Sequence, residues 1–238
     1  MTPKISIITV CYNAADIIEK TILSVLGQEY ENIEYIIIDG KSTDGTTDII
    51  RKYEDKLSYF CSETDNGIFD AMNKGLRHAS GEWISYMNAG DWFYNNKVVS
   101  TIIEQVSNQL NMIYGNTQYR RQSGAAIETA LEPSFIRYNM PTSHQSFFIR
   151  TAIAKEIGFD LSYHYAADYN MVYQIYKRYG LRCIAHADIT VSSYEAYQGT
   201  SMINANEVFR ETLQIRDWSL NKLYGYVRYY IKRLIGRK

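Results

Sequence analysis

YIIIDGKSTDGTT, residues 35–47, decides the fold. An apolar, β-branched run that reads as a buried strand stops abruptly at Asp39, and a turn of Gly, Ser and Thr follows with a second carboxylate, Asp44. In an open α/β sheet, ligands bind outside the carboxyl ends of the parallel strands, so an acid at such an end reaches a binding crevice. Asp and Ser also open turns and cap helices, and Ser42 and Asp44 are read in those roles. Asp39 is read as a ligand contact, because a buried strand seldom ends in a bare carboxylate without a partner. The expected ligand is nucleotide-like.

Outward from this stretch the chain alternates strands and helices. Residues 5–10 form a β-branched run, and Asn13 is placed as the cap of a helix whose apolar face is Ile18, Ile22, Val25 and Leu26. Strand two is residues 34–38. A short helix is expected over 46–53, a strand over 57–62, a helix over 68–78 with Gly81 beyond its end, and a strand over 83–87 running into Asn88-Ala-Gly-Asp91. This rhythm predicts an α/β fold with a mostly parallel, doubly wound, Rossmann-like sheet. The second half is less regular. A helix near 98–106 precedes strand-like pieces at 112–121 and 126–131, a turn-rich stretch to Pro141, a helix over 167–178 and strands near 182–185 and 189–193. Strands without crossover helices predict an antiparallel addition to the sheet.

A chain of 238 residues, 46% hydrophobic, buries a full core. Cys11, Cys61 and Cys183 form no CxxC pair, which argues against a disulfide framework or a zinc site and for a reducing, cytoplasmic setting. The beginning MTPKISIITVCYN has no signal-like pattern, and no window is long and apolar enough to span a bilayer. The net charge of −1 hides an asymmetry: residues 218–238 hold six basic groups and no acidic one, whereas the rest holds 19 basic against 26 acidic.

Two phosphate-binding patterns are missing. CYNAAD follows the first strand where a dinucleotide fold carries GxGxxG, and no Walker GxxxxGK[ST] occurs. A divalent cation, Mg²⁺ or Mn²⁺, on Asp91 would hold a diphosphate instead, because Mg²⁺ takes one or two protein carboxylates and shares the rest of its shell with phosphate and water.

ISIITVCYN, IIIDGKSTDGT, ETDNGIFDAMNKGL, ISYMNAGD, HQSFFIR and YAADYNMVYQIYKRYG, in this order and spacing, resemble the family-2 inverting glycosyltransferases of GT-A fold, and bacterial polysaccharide-assembly members in particular. Each motif alone is weak; the ordered set, from Ile5 to about Ser201, is specific. The resemblance implies transfer of a sugar from a nucleotide diphosphosugar, with Thr9, Tyr12 and Asp39 on the base and ribose and Asp65, Asn73 and Lys74 closing over the ribose and diphosphate. Asn88 is placed on the donor, and Asp91 stands where the family has a DxD or DD metal motif, here reduced to one carboxylate. Direct displacement at the anomeric carbon needs a base opposite the leaving group. The resemblance assigns that role to Asp168, with Glu195 the next candidate, and sets His144 and Gln145 beside the donor or acceptor sugar. His164 and His186 lack a metal-binding context and are read as structural, and 197–201 resembles a loop that follows the catalytic segment.

The expected division is a transferase domain over 1–204, with a nucleotide half over 1–91 and an acceptor half over 92–204, and a C-terminal tail over 205–238. In the tail, Trp218, Leu220, Leu223, Val227, Tyr230, Ile231, Leu234 and Ile235 recur at near-helical spacing among basic residues, which predicts a cationic amphipathic helix on an anionic membrane surface. The acidic body argues against a nucleic-acid partner. The function expected is transfer of a hexose or hexosamine, from a UDP-sugar, to a glycan acceptor, lipid-linked, at the inner face of the cell membrane. Rival readings are a nucleotidyltransferase, which would lack a base placed like Asp168, and a nucleotide-sugar or glycan-binding assembly partner without catalysis.

Overall fold

A computed structural model describes residues 2–196 and 204–216. In chain order the elements are β1 (Ile5–Cys11), α1 (Ile18–Leu26), β2 (Ile33–Asp39), α2 (Thr46–Arg51), β3 (Tyr59–Ser62), α3 (Ile68–His78), β4 (Trp83–Tyr86), β5 (Trp92–Phe93) and α4 (Val98–Ile103). They continue with β6 (Met112–Arg121), β7 (Gly124–Glu128), β8 (Phe147–Arg150), α5 (Thr151–Ile157), α6 (Ala167–Tyr179), β9 (Ile184–Glu195) and α7 (Ala205–Ile215).

One mixed sheet has the order β3-β2-β1-β4-β8-β6-β9-β5, with β7 hairpinned onto β6. β3, β2, β1 and β4 are parallel, β8 runs antiparallel between β4 and β6, and β6 and β9 are parallel again. Every residue of β1 is buried, as expected of a parallel strand covered on both faces. Its pleat divides two cores. Ile8 and Val10 face one with Ile36, Ile38, Met72, Leu76, Met171 and Ile175; Ile5 and Ile7 face the other with Ile18, Ile22, Ile37, Val99 and Ile102. α3 presses so closely on β1 that a Cβ at Gly75 would lie 2.5 Å from Ile8 Cγ2. The expected doubly wound sheet and its antiparallel addition are both present.

Several local expectations need correction. Asn13 does not cap α1. It takes a left-handed backbone, φ 46°, its side-chain oxygen accepts from Thr43 N at 2.9 Å, and its own N–H donates to Ser42 Oγ at 2.8 Å. The two strands expected at 182–185 and 189–193 are one strand, β9, which starts at Ile184 after a 3-10 turn, Leu181–Cys183, and whose pairing with β6 shifts register around Asn116; no side chain fits opposite the bulge at Gly115, where a Cβ would lie 2.5 Å from Ile189 O. α4 stops at Ile103, and β7 begins at Gly124. β8 and α5 lie where no element is expected from periodicity. Of the segment set apart as a tail, α7 packs against α6, with Ile215 against Ala166, Tyr169 and Tyr173. The amphipathic pattern over 218–235 and the loop at 197–201 lie outside the described residues. Among the described residues no helix is long and apolar enough to cross a membrane.

Candidate active site

β1 and β2 end side by side, Cys11 opposite Asp39, at the carboxyl ends where an open α/β sheet takes its ligand. Asp39 is fully buried. Its Oδ2 accepts from Ser42 N at 2.9 Å and from Ser62 Oγ at 2.6 Å, and its Oδ1 accepts from Ser42 Oγ. It therefore ties the 40–44 turn to the end of β3. Burial and the neighbouring Asp39 push the Cys11 thiol well up, so it stays protonated. Tyr12, 66% exposed, covers the mouth of the crevice with its Cβ packed on Gly40. The Asp65 carboxylate rests so near Gly40 that a Cβ there would lie 2.6 Å from Oδ2, and its Oδ1 accepts from Gly67 N at 2.9 Å. Lys74 reaches back from α3 to Thr64 O at 2.7 Å and Glu63 at 2.9 Å, which fixes the 63–67 loop.

Two residues expected on the donor are occupied elsewhere. The Thr9 hydroxyl is wholly buried and donates to Met87 O at 2.8 Å while pairing with the Tyr35 hydroxyl. Asn73 makes a two-way pairing with the Phe159 backbone, at 2.8 and 2.9 Å, and so ties α3 to the segment between α5 and α6.

The remaining candidates converge. A short 3-10 turn, His144–Ser146, aims His144 and Gln145 at the turn after β4. His144 Nε2 lies 2.9 Å from Asn88 Nδ2, and its Nδ1 lies 3.4 Å from Asp168 Oδ2. The ring thus makes a hydrogen-bond contact with the Asn88 amide on one side and stands beside the Asp168 carboxylate on the other. Gln145 Nε2 donates to Asp91 Oδ2 at 2.6 Å. Asp168 occupies the first turn of α6, where the helix dipole favours a negative charge, and its Oδ1 accepts from Tyr169 N at 2.7 Å. Glu195 meets Asp91 through its backbone N–H, at 3.1 Å.

These side chains border a cavity of about 300 Å³ whose wall includes Tyr119, Tyr165, Tyr169, Tyr194, His144, Gln145 and Asp168, closed by Val208 and Thr212 of α7. Burial first, then Asp91, pushes the Tyr194 hydroxyl up to about 12, so it remains a neutral donor. A buried cluster of hydroxyls anchors the 142–146 segment: Thr117 Oγ1 lies 3.0, 2.9 and 2.7 Å from the hydroxyls of Thr142, Ser143 and Ser146, and Ser146 meets Ser192 at 2.6 Å. Nothing local in the sequence marks this cluster, the tyrosines or α7 as site components.

Asp91, expected to hold a cation, is almost wholly buried. Beyond Gln145 and the Glu195 amide, Arg120 Nη2 stands 3.7 Å from Oδ1 and donates to Gly90 O at 2.6 Å. Burial outweighs these partners and raises the carboxyl to about 6. Each carboxylate oxygen accepts one hydrogen bond, Oδ2 from Gln145 and Oδ1 from the Glu195 amide, so a divalent cation at Asp91 would share the carboxylate with these partners. Among the described residues no three His, Cys, Asp or Glu side chains are grouped to share an ion.

The profile of glycosyl transferase family 2 matches residues 6–171, from β1 into α6. The chain belongs to that family. An uncharacterised glycosyltransferase of Mycobacterium tuberculosis, Rv1514c, is 32% identical over 177 residues, covering 71% of this chain and 68% of that one. A PGL/p-HBAD biosynthesis glycosyltransferase of Mycobacterium bovis is 26% identical over 227 residues, covering 89% and 84%. Among solved structures, residues 1–349 of Staphylococcus aureus TarS in complex with UDP-GlcNAc superpose with a TM-score of 0.71 at 21% identity, covering 94% of this chain and 71% of that one. The mannosyltransferase PcManGT of Pyrobaculum calidifontis, in complex with GDP-Man and Mn²⁺, gives 0.71 at 14% identity, covering 98% and 70%. These likenesses establish the GT-A fold. In this transferase the crevice at the ends of β1 and β2 and the cavity bordered by Asp168 lie on one sheet, joined through Asn88 and His144.

Proposed function

We propose that this transferase moves a hexose or hexosamine from a UDP-sugar to a glycan hydroxyl with inversion. Asp168 takes the proton from the attacking oxygen. The single observation carrying this reading is the path from Asp168 through His144 to Asn88, which joins the acceptor-side carboxylate to the turn at the end of β4. A base must face the reaction from the side opposite the leaving group, and a histidine between the two sides fixes its orientation. Tyr12, Asp39 and Asp65 form the base-and-ribose end of the donor site, with Lys74 holding the loop above it, and Asn88 faces the sugar. The donor half is 1–91 and the acceptor half 92–204. Asp91 would hold a divalent cation, Mg²⁺ or Mn²⁺, that shares the donor diphosphate, with Gln145 and the Glu195 amide orienting the carboxylate.

The acceptor in this reading is a lipid-linked oligosaccharide of bacterial surface-polysaccharide assembly, met at the cytoplasmic membrane face. The six basic groups over 218–238 support attraction to anionic lipid. Release of UDP from a panel of UDP-sugars, in buffer with Mg²⁺ or Mn²⁺, tests the donor assignment. Turnover of at least one is expected, and neither turnover nor binding of any overturns the reading.

A further inference from the structure

Glu211, on α7, lies beyond the segment that matches the family, yet it grips the approach to Asp168. Its Oε1 accepts from His164 N at 2.8 Å, and its Oε2 accepts from Tyr165 N and Ala166 N, both at 2.8 Å. Three successive backbone N–H groups thus converge on one carboxylate, the concave arrangement that suits an anion. Ala166 is the residue from which α6 starts, and no side chain of its own caps that end. The entry to α6 is therefore held from outside, two residues ahead of Asp168. Tyr165, bonded to the same carboxylate, contributes to the cavity wall, as do Val208 and Thr212 on the inner side of α7.

We infer that Glu211 is a positioning residue for the transfer step: through the 164–166 backbone it sets the aim of Asp168 toward the acceptor. The inference rests on the reading of Asp168 as the base. Small displacements of a reacting group carry large kinetic costs, about 10²-fold for 1 Å. Charge-assisted bonds to three adjacent amides are suited to prevent one. In E211Q one oxygen becomes an NH₂ group that confronts amide donors, so the clamp is lost while size is kept; E211D keeps the charge on a shorter arm.

The test uses the full chain and the UDP-sugar turned over fastest, with UDP release as readout. E211Q should lower kcat about 30-fold and E211D about 3-fold, with donor KM within about twofold and unchanged circular dichroism. In a D168N background neither substitution should cost more than about twofold further, since the group being positioned is gone. An equal loss in both backgrounds, a rise in donor KM that accounts for the effect, or full activity of E211Q overturns the inference. If E211Q does not fold, E211D carries the same cycle: an undiminished kcat, or the same loss with D168N, overturns it. Wild-type activity in D168N alone refutes the assignment of the base; a slow D168N beside a fast E211Q refutes only the positioning role.

Discussion

His144 holds Asp168 at one ring nitrogen and Asn88 at the other, with Nδ1 3.4 Å from Asp168 Oδ2 and Nε2 2.9 Å from Asn88 Nδ2. The imidazole spans the two sides of the site. Asparagine at this position can reach only one of the two partners, so H144N should lower kcat by about tenfold and leave donor KM nearly unchanged. Steady-state UDP release with a single donor measures both.

Asp168→Asn keeps the size of the group and removes its ability to accept a proton. Transfer should fall by roughly 10² or more while UDP binding, followed by calorimetry, changes little. Full activity would place the base elsewhere, with Glu195 the first alternative.

Asp91 gives a pH signature in stability. Burial holds its carboxyl at about 6, above its ordinary value of 3.8. Between those values the folded chain binds more protons than the unfolded one, so this group's contribution falls as pH rises from about 4 to about 6. The loss amounts to about 3 kcal/mol once ionisation is complete. D91N should therefore gain on the wild type by that order between pH of about 4 and 7 in urea unfolding, and its amide finds a ready acceptor in the buried Gln145 Oε1, which has no hydrogen-bond partner among the described residues. Parallel pH curves for the two proteins would contradict the burial argument.

Tyr12 stands exposed over the crevice, so its ring can be removed without opening a core. If a base stacks there, Tyr12→Ala should weaken UDP binding by about 1–3 kcal/mol and leave thermal unfolding unchanged. Calorimetry with UDP and with UMP reads the effect.

Gly75 gives a control in the fold itself. Alanine would bring a methyl to 2.5 Å from Ile8 Cγ2, a branched group fixed within the sheet. Overpacking costs about 1–3 kcal/mol, against about 1 kcal/mol gained in helix propensity. Gly75→Ala should lower the urea midpoint, and an unchanged midpoint would mean that α3 shifts freely.

The parallel half was legible because β1, β2 and β4 are short, predominantly apolar runs, each followed by turn residues, as at Asp39. The second half of the chain was not. β9 carries exposed Asp188 in its middle and crosses a bulge, so its two ends look like separate pieces. The absence of phosphate-binding glycine motifs nominated Asp91, but residue types could nominate His144 and Asp168 only through resemblance; partners distant in sequence stayed hidden, as where Glu195 meets Asp91 across 104 positions. Helical spacing placed Asn73 on α3 but could not say that its amide pairs with Phe159. Thr9 was expected to touch the donor, but its hydroxyl is enclosed between Tyr35 and Met87.

The edge of the sheet has a different consequence. The crevice rests on β1 and β2, whereas the cavity is walled largely by the end of the β6–β7 hairpin, the stretch after it and α7. Recombination at that edge exchanges one wall and leaves the parallel strands intact. If the strand ends hold the nucleotide and the cavity the acceptor, as proposed, a lineage built on this plan can change what it glycosylates without relearning which nucleotide it reads.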